Sequence, residues 1–201
     1  MIIDVSTSDV MTVYRALVGI VTPRPIAWVT TVDNDGRVNL APFSFFNAFG
    51  ANPPVVVFSP VLRRDGSKKD TLQNLNAVNE FVLNAAVEDL AEKMNATATE
   101  LPPGQSEAEH AALTLVPSTM VRPPRVAESP VHMECRVHQI MSIGDGPIAA
   151  NLVIGEVLLI HIADHVLDER GAVDPRKLRT IARLGGDFYC RSADLFEMKR
   201  P

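Results

Sequence analysis

The stretch from Arg24 to Thr71 limits what this chain can fold into more than any other. It reads RPIAWVTTVDNDGRVNLAPFSFFNAFGANPPVVVFSPVLRRDGSKKDT. Three apolar runs, 25–32, 38–49 and 55–58, are rich in Val, Ile, Phe and Trp, the residues that suit a pleated, half-buried surface. The first break is Asp33-Asn34-Asp35-Gly36, where Asp-Gly supplies the positive φ of a tight hairpin. The second, Asn52-Pro53-Pro54, cannot continue a helix and starts an extended run. Six of the eleven aromatic residues lie here: Trp28, Phe43, Phe45, Phe46, Phe49 and Phe58. Thr30, Thr31, Asn39, Ser44, Asn47 and Ser59 are interleaved with them. Arg63, Arg64, Lys68 and Lys69 follow, just before an expected helix. A sheet with flat apolar surface, short hydrogen-bonding groups and an anion trap at one end suits a flat, phosphorylated heterocycle.

The whole chain bounds that reading. At 201 residues we expect one domain over 1–201, long enough to bury roughly two-thirds of its unfolded surface. A net charge of −5 argues against nucleic acid, because phosphate-backbone binding needs a basic face. The cation cluster at 63–69 is a local anomaly, too small for a polymer and matched to one phosphate. Cys135 and Cys190 are too few for a disulfide framework, which favours a reducing cytoplasm. The N-terminus MIIDVSTSDV lacks the basic-then-apolar order of a signal peptide, and no apolar run approaches the ~20 residues of a membrane span.

In chain order, Ser8 or Asp9 caps a short helix through Met11, Tyr14, Leu17 and Val18, which Gly19 and Pro23 end. After the three strands, Asp70-x-x-Gln73 reads as a capping pair ahead of the stripe Leu72, Leu75, Val78. Residues 81–86 read as a buried strand. Glu88 and Asp89 open a second helix, which Leu101-Pro102-Pro103-Gly104 breaks. Ser106-x-x-Glu109 starts a short helix to about Ala112. Residues 130–143 and 151–162 read as strands joined by the turn Gly144-Asp145-Gly146-Pro147. Asp174-Pro175 is an N-cap and first helical residue, and residues 183–189 form a glycine-hinged loop. Six or seven strands with antiparallel hairpins and short helices predict a mainly β, closed or half-open barrel.

Each chemical signal has a bland reading beside it. The 63–71 loop offers Arg64, Lys69, two hydroxyls, a glycine and the free amides of a helix start. A solvated loop whose Asp65 and Asp70 hold the cations stays open. Thr30 and Thr31 suit any strand, and the Phe set suits any core. What favours a site is polar groups clustered among Phe43, Phe45 and Phe46. Gly144-x-Gly146-x-x-Ala149 imitates a dinucleotide loop, but strands flank it and Pro147 removes an amide. His132, Glu134 and His138 line one strand face with the histidines roughly 20 Å apart, too far to share a metal ion. His161 and His165 have helical spacing within strand sequence. Cys135 lies on the apolar side of its strand and reads as inert core. A nucleophile elbow and an ATPase-type phosphate loop are both missing.

These motifs resemble the flavin reductase-like, FMN-binding split-barrel family, which includes flavoredoxin-type proteins and the reductase partners of two-component monooxygenases. The likeness rests on Arg24-Pro-Ile-Ala-Trp-Val-Thr-Thr31, Asn39-Leu-Ala-Pro-Phe-Ser-Phe-Phe-Asn47 and Pro53-Pro-Val-Val-Val-Phe-Ser59. Arg64-Asp-Gly-Ser-Lys-Lys-Asp-Thr71 and Arg183-Leu-Gly-Gly186 extend it over nearly the whole chain. The resemblance implies a mainly β fold with short helices, an FMN-binding split β-barrel, usually a homodimer, holding FMN non-covalently. It implies Thr30, Thr31, Ser44, Phe45 and Asn47 beside the isoalloxazine and ribityl chain. Ser59, Arg64, Lys69, Asp70 and Thr71 fall at the ribityl tail and phosphate. Asn95 and Tyr189 close the site, from this subunit or its neighbour. No residue is expected to act as an acid or base, since hydride passes from NAD(P)H to the cofactor, which carries the chemistry. Reduced flavin then passes to oxygen, a partner oxygenase or another acceptor. The rival readings are a non-enzymatic FMN electron carrier reduced by a partner protein, and a binding module for another phosphorylated aromatic.

Overall fold

Asp33 and Gly36 set the first hairpin. Gly36 sits at φ 84°, and the Asp33 carboxylate accepts the amides of Asp35 and Arg37, each at 2.9 Å. Strand β2 (Ala27–Val32), preceded by the short β1 (Arg24–Pro25), is thereby paired in antiparallel register with β3 (Val38–Phe43). In this computed structural model, which describes residues 1–102, 105–192 and 194–199, β4 (Phe46–Ala51) and β5 (Pro54–Phe58) form the second hairpin. The apolar run that reads as continuous from Val38 to Phe49 is therefore two strands, broken at Ser44-Phe45. Nothing in its composition marks the break except one serine.

That break organises the barrel. The main sheet contains β6 (Glu80–Ala85), β9 (Val131–Ile143) and β10 (Ala150–Ile162), and its order is β3-β2-β6-β9-β10-β5-β4. Its two edge strands are consecutive in sequence. At ~3.8 Å per Cα step, Phe43 and Phe46 stand within about 11 Å of each other, so the sheet must curl until its edges face. They approach without pairing, and the barrel stays split along this seam. Phe43, Phe58 and Phe81 stack inside it at centroid distances of 5.5 and 5.3 Å, with Val29, Leu83, Cys135 and Val153. Gly155 lies at a register shift in β10, where the Phe81 ring fills the place of a side chain.

Strand β2 is buried on both faces. On its outer side Trp28 and Leu40 pack with Met94, Ala108 and Val126. These come from α3 (Ala91–Ala96, entered through a 3-10 turn at Glu88–Leu90), α4 (Glu107–His110) and β8 (Arg125–Val126), which pairs with β7 (Leu115–Val116). The Trp28 indole N–H donates to Thr97 at 2.9 Å.

Three boundaries depart from the sequence reading. Helix α1 (Val10–Ile20), capped by Asp9, runs through Gly19, because Arg24 satisfies the Val18 carbonyl at its C-terminal end. Helix α2 (Asp70–Ala77) begins at Asp70 rather than being capped by it; Gln73 reaches back to the Lys68 carbonyl instead, at 3.1 Å. The expected loop over 183–189 is framed by β11 (Ile181–Arg183) and β12 (Tyr189–Arg191), which form a small sheet with β1. Helix α5 (Pro175–Leu178) starts at Pro175 with Asp174 as its cap, as expected. The Pro103-Gly104 half of the expected helix breaker lies outside the described residues. Among the described residues, no helix is long and apolar enough to cross a membrane.

Candidate functional site

A polar relay docks the cation loop on the barrel. Asn39, on β3, donates to Thr71 at 2.8 Å and to Thr31 at 3.5 Å, and Asn74 of α2 donates to Thr31 at 3.1 Å. Thr31 and Thr71 are fully buried, so their hydroxyls fix the start of α2 against β2 rather than facing an opening.

Within the loop the charges divide. Gly66, at φ 82°, closes a turn through its amide to the Arg63 carbonyl at 2.9 Å. Asp65 accepts the amide and hydroxyl of Ser67 at 2.9 and 2.7 Å. Arg63 clasps the Lys68 carbonyl, Asp70 at 3.2 Å and Glu100 at 3.4 Å. Asp70 is thus an anchor for Arg63. Arg64 is exposed and makes no ion pair among the described residues. Lys69 is half-buried, 5.4 Å from the Phe43 ring centroid. Its ammonium has no hydrogen-bond partner among the described residues. Burial, and then the nearby Arg63, push the Lys69 pKa below its ordinary value.

Arg64 and Lys69 line a cavity of about 500 Å³ with Met11, Tyr14, Leu62 and Ile148. A second cavity of about 450 Å³ shares Tyr14, Val61 and Ile148 with the first. Its walls are almost wholly apolar, from Val10, Val13, Leu17, Phe45 and Leu152, with Ser8 and Ser59 as polar points. The Tyr14 ring meets Phe45 edge-on at 6.4 Å. Both volumes lie in the range of small-molecule sites, ~300–1,000 Å³. Together they form one cleft, apolar along one part and charged at the other, where Arg63, Arg64 and Lys69 outnumber Asp65 and Glu100.

The structure places Phe45, Ser59, Arg64 and Lys69 around this cleft, with Ser44 beside it, accepting from Arg24 at 3.4 Å. Thr30 is fully buried on the outer layer, where Asn84 donates to it at 2.8 Å. Asn47 is exposed on β4. Asn95 and Tyr189 sit together and line neither part of the cleft: the Tyr189 hydroxyl donates to Asn95 at 3.2 Å, and Arg183 stacks 4.5 Å over the Tyr189 ring. Sequence reading missed Tyr14, Val61 and Ile148 as walls of the cleft. The apolar face of α1 was the available signal, but it pointed equally to core.

On the long hairpin, His161 of β10 pairs with buried Glu134 of β9, at 2.7 Å. Glu134 also accepts the amides of Thr119 and Met120 at 2.8 and 2.5 Å.

The molecule is thus a split barrel with a half-charged cleft. Residues 20–182 match the flavin reductase like domain. The chain belongs to this flavin reductase-like family. An uncharacterized protein of Aquifex aeolicus is 41% identical over 188 residues, covering 94% of each chain. Among solved structures, nitrilotriacetate monooxygenase component B from Bacillus cereus superimposes with a TM-score of 0.92 at 36% identity, covering 98% of both chains. The 2-nitrobenzoate 2-nitroreductase of Pseudomonas fluorescens gives 0.89 at 32%, covering all of this chain and 96% of the other. Family membership ties the chain to flavin chemistry, and the cleft offers apolar walls with charged groups at one end.

Proposed function

We propose that the chain binds FMN in this cleft and acts as an NAD(P)H-dependent flavin reductase. The observation that carries the reading is the half-buried Lys69 ammonium, which has no hydrogen-bond partner among the described residues, beside Arg64 at the mouth of the apolar cleft. Glu100 stands near Lys69 but does not offset the cost of its burial and of the nearby Arg63, and a phosphate relieves that cost through charge-assisted hydrogen bonds. In this reading Arg64 and Lys69 hold the phosphate. Ser59 faces the polyol, and Phe45, Tyr14 and Ile148 offer apolar surface to the ring. Thr30, Thr31, Asp70 and Thr71 act from behind the wall, fixing β2 and the loop. The bound cofactor supplies two-electron chemistry, accepting hydride and passing electrons onward. The chain's share is to bind, orient and exclude water.

One relative by structure is a monooxygenase component, which supports an oxygenase as acceptor here. A homodimer is part of the proposal. Among the described residues the outer edge of β4 is unpaired, and its Phe49 is 68% exposed in a strand, a surface that natural sheets cover. The reducing cytoplasm suits such a reaction. Purified protein incubated with FMN should retain it and, with excess FMN, consume NADH or NADPH steadily. Retention of FMN without nicotinamide oxidation would instead favour the electron carrier, and no uptake of FMN would remove both readings.

A further inference from the structure

Arg24 is 5% exposed, yet no carboxylate accompanies it among the described residues. Burial lowers its pKa from the usual arginine value, though a guanidinium keeps its charge in any protein. Its N–H donors are spent on three separate pieces of chain. Nη1 donates to the carbonyls of Val18 and Val21, at the C-terminal end of α1, at 2.5 and 2.6 Å. Nη2 donates to the Leu184 carbonyl at 2.9 Å, and Nε to the Ser44 hydroxyl at 3.4 Å. Of the eleven residues of α1, Val18 alone is buried, so packing holds this helix weakly. Its Val13, Tyr14 and Leu17 nonetheless wall the cleft. The helix end also touches the 184–186 loop directly: a Cβ at Gly185 would stand 3.2 Å from Gly19 Cα.

We propose that Arg24 is a positioning residue that pins the α1 wall, the Ser44 corner and the Leu184 loop into one arrangement and so sets the width of the ligand cleft. A fork of fixed donors suits this task, because a lysine is a single point charge that cannot reach all four acceptors. The effect on ligand affinity rests on the flavin reading; the pinning of α1 does not.

The test compares full-length wild type with Arg24→Met, Arg24→Lys and Gly185→Ala by hydrogen exchange, and measures FMN affinity alongside. Gly185→Ala wedges the same junction without touching the guanidinium. In Arg24→Met, amides of α1 and of residues 184–186 should exchange at least about tenfold faster, while those of β6 and β9 stay unchanged. FMN should bind about tenfold more weakly, with partial recovery in Arg24→Lys. Unchanged exchange in α1, or acceleration of β6 and β9 as large as that of α1, would overturn the proposal. If Arg24→Met does not fold, the same comparison of α1 with β6 and β9 in Arg24→Lys and Gly185→Ala decides the question. Wild type that fails to bind FMN would remove the flavin reading while the exchange data still test Arg24.

Discussion

Lys69 concentrates the electrostatics of the site. Its folded pKa is lowered, so between that value and the ordinary 10.5 the unfolded chain binds more protons than the folded one. Ligand-free protein should therefore gain stability from this group as pH rises through that window, and Lys69→Met should abolish the gain. Urea midpoints measured from pH 8 to 10.5 on both proteins check this. Glu134 makes the opposite case. Burial alone would raise its pKa, but the Thr119 and Met120 amides and His161 overcome that and lower it. Its stabilisation is present above the ordinary 4.5 and is lost as pH falls through the lowered value. Glu134→Gln replaces one of the two carboxylate oxygens with an NH2, so one of the two amides then faces a donor, and we expect a loss of about 2–4 kcal/mol by urea denaturation at pH 7. At this scale the sequence displayed the cation cluster but not its division of labour. Arg63 and Arg64 are adjacent and chemically alike. Only the fold shows that Asp70 and Glu100 occupy the first and leave the second. Thr30 and Thr31 look equivalent for the same reason, although alternation sends one hydroxyl to Asn84 and the other to Asn39 and Asn74.

Among the elements, the hairpins declared themselves through Asp33–Gly36 and Gly144–Pro147, because turn residues act locally. Elements whose limits depend on distant partners did not. The extension of α1 past Gly19 needs Arg24. The separation of β3 from β4 needs barrel closure, since Ser44-Phe45 carries no glycine or proline. Gly155 is another long-range requirement hidden inside a β-branched run. A Cβ there would stand 2.8 Å from Phe81 Cε1 and closer still to Cζ, and the ring is fully buried, with its centroid 5.3 Å from that of Phe58. Gly155→Ala should destabilise by about 2–3 kcal/mol through overpacking, seen as a lowered urea midpoint with an unchanged slope.

For the molecule as a whole, a seven-stranded sheet folded back on itself brings its sequence-adjacent edges to one corner. That corner, with α1 and the 61–69 loop, forms the cleft. The sequence announced strands, short helices and a cluster of cations, and its motifs named the family. The lid-like placement of α1 came only from the fold. The central claim is that the cationic end grips the phosphate of a flavin mononucleotide. Its most direct test is an equilibrium titration with FMN and with riboflavin, followed by flavin fluorescence, on wild type and on the Arg64→Ala/Lys69→Met double variant. Charge-assisted bonds contribute roughly 1.5–3 kcal/mol each, so wild type should prefer FMN by about a hundredfold or more, and the double variant should bind the two within about threefold. Equal affinity of wild type for both flavins, or an FMN preference that survives loss of both cations, would contradict it.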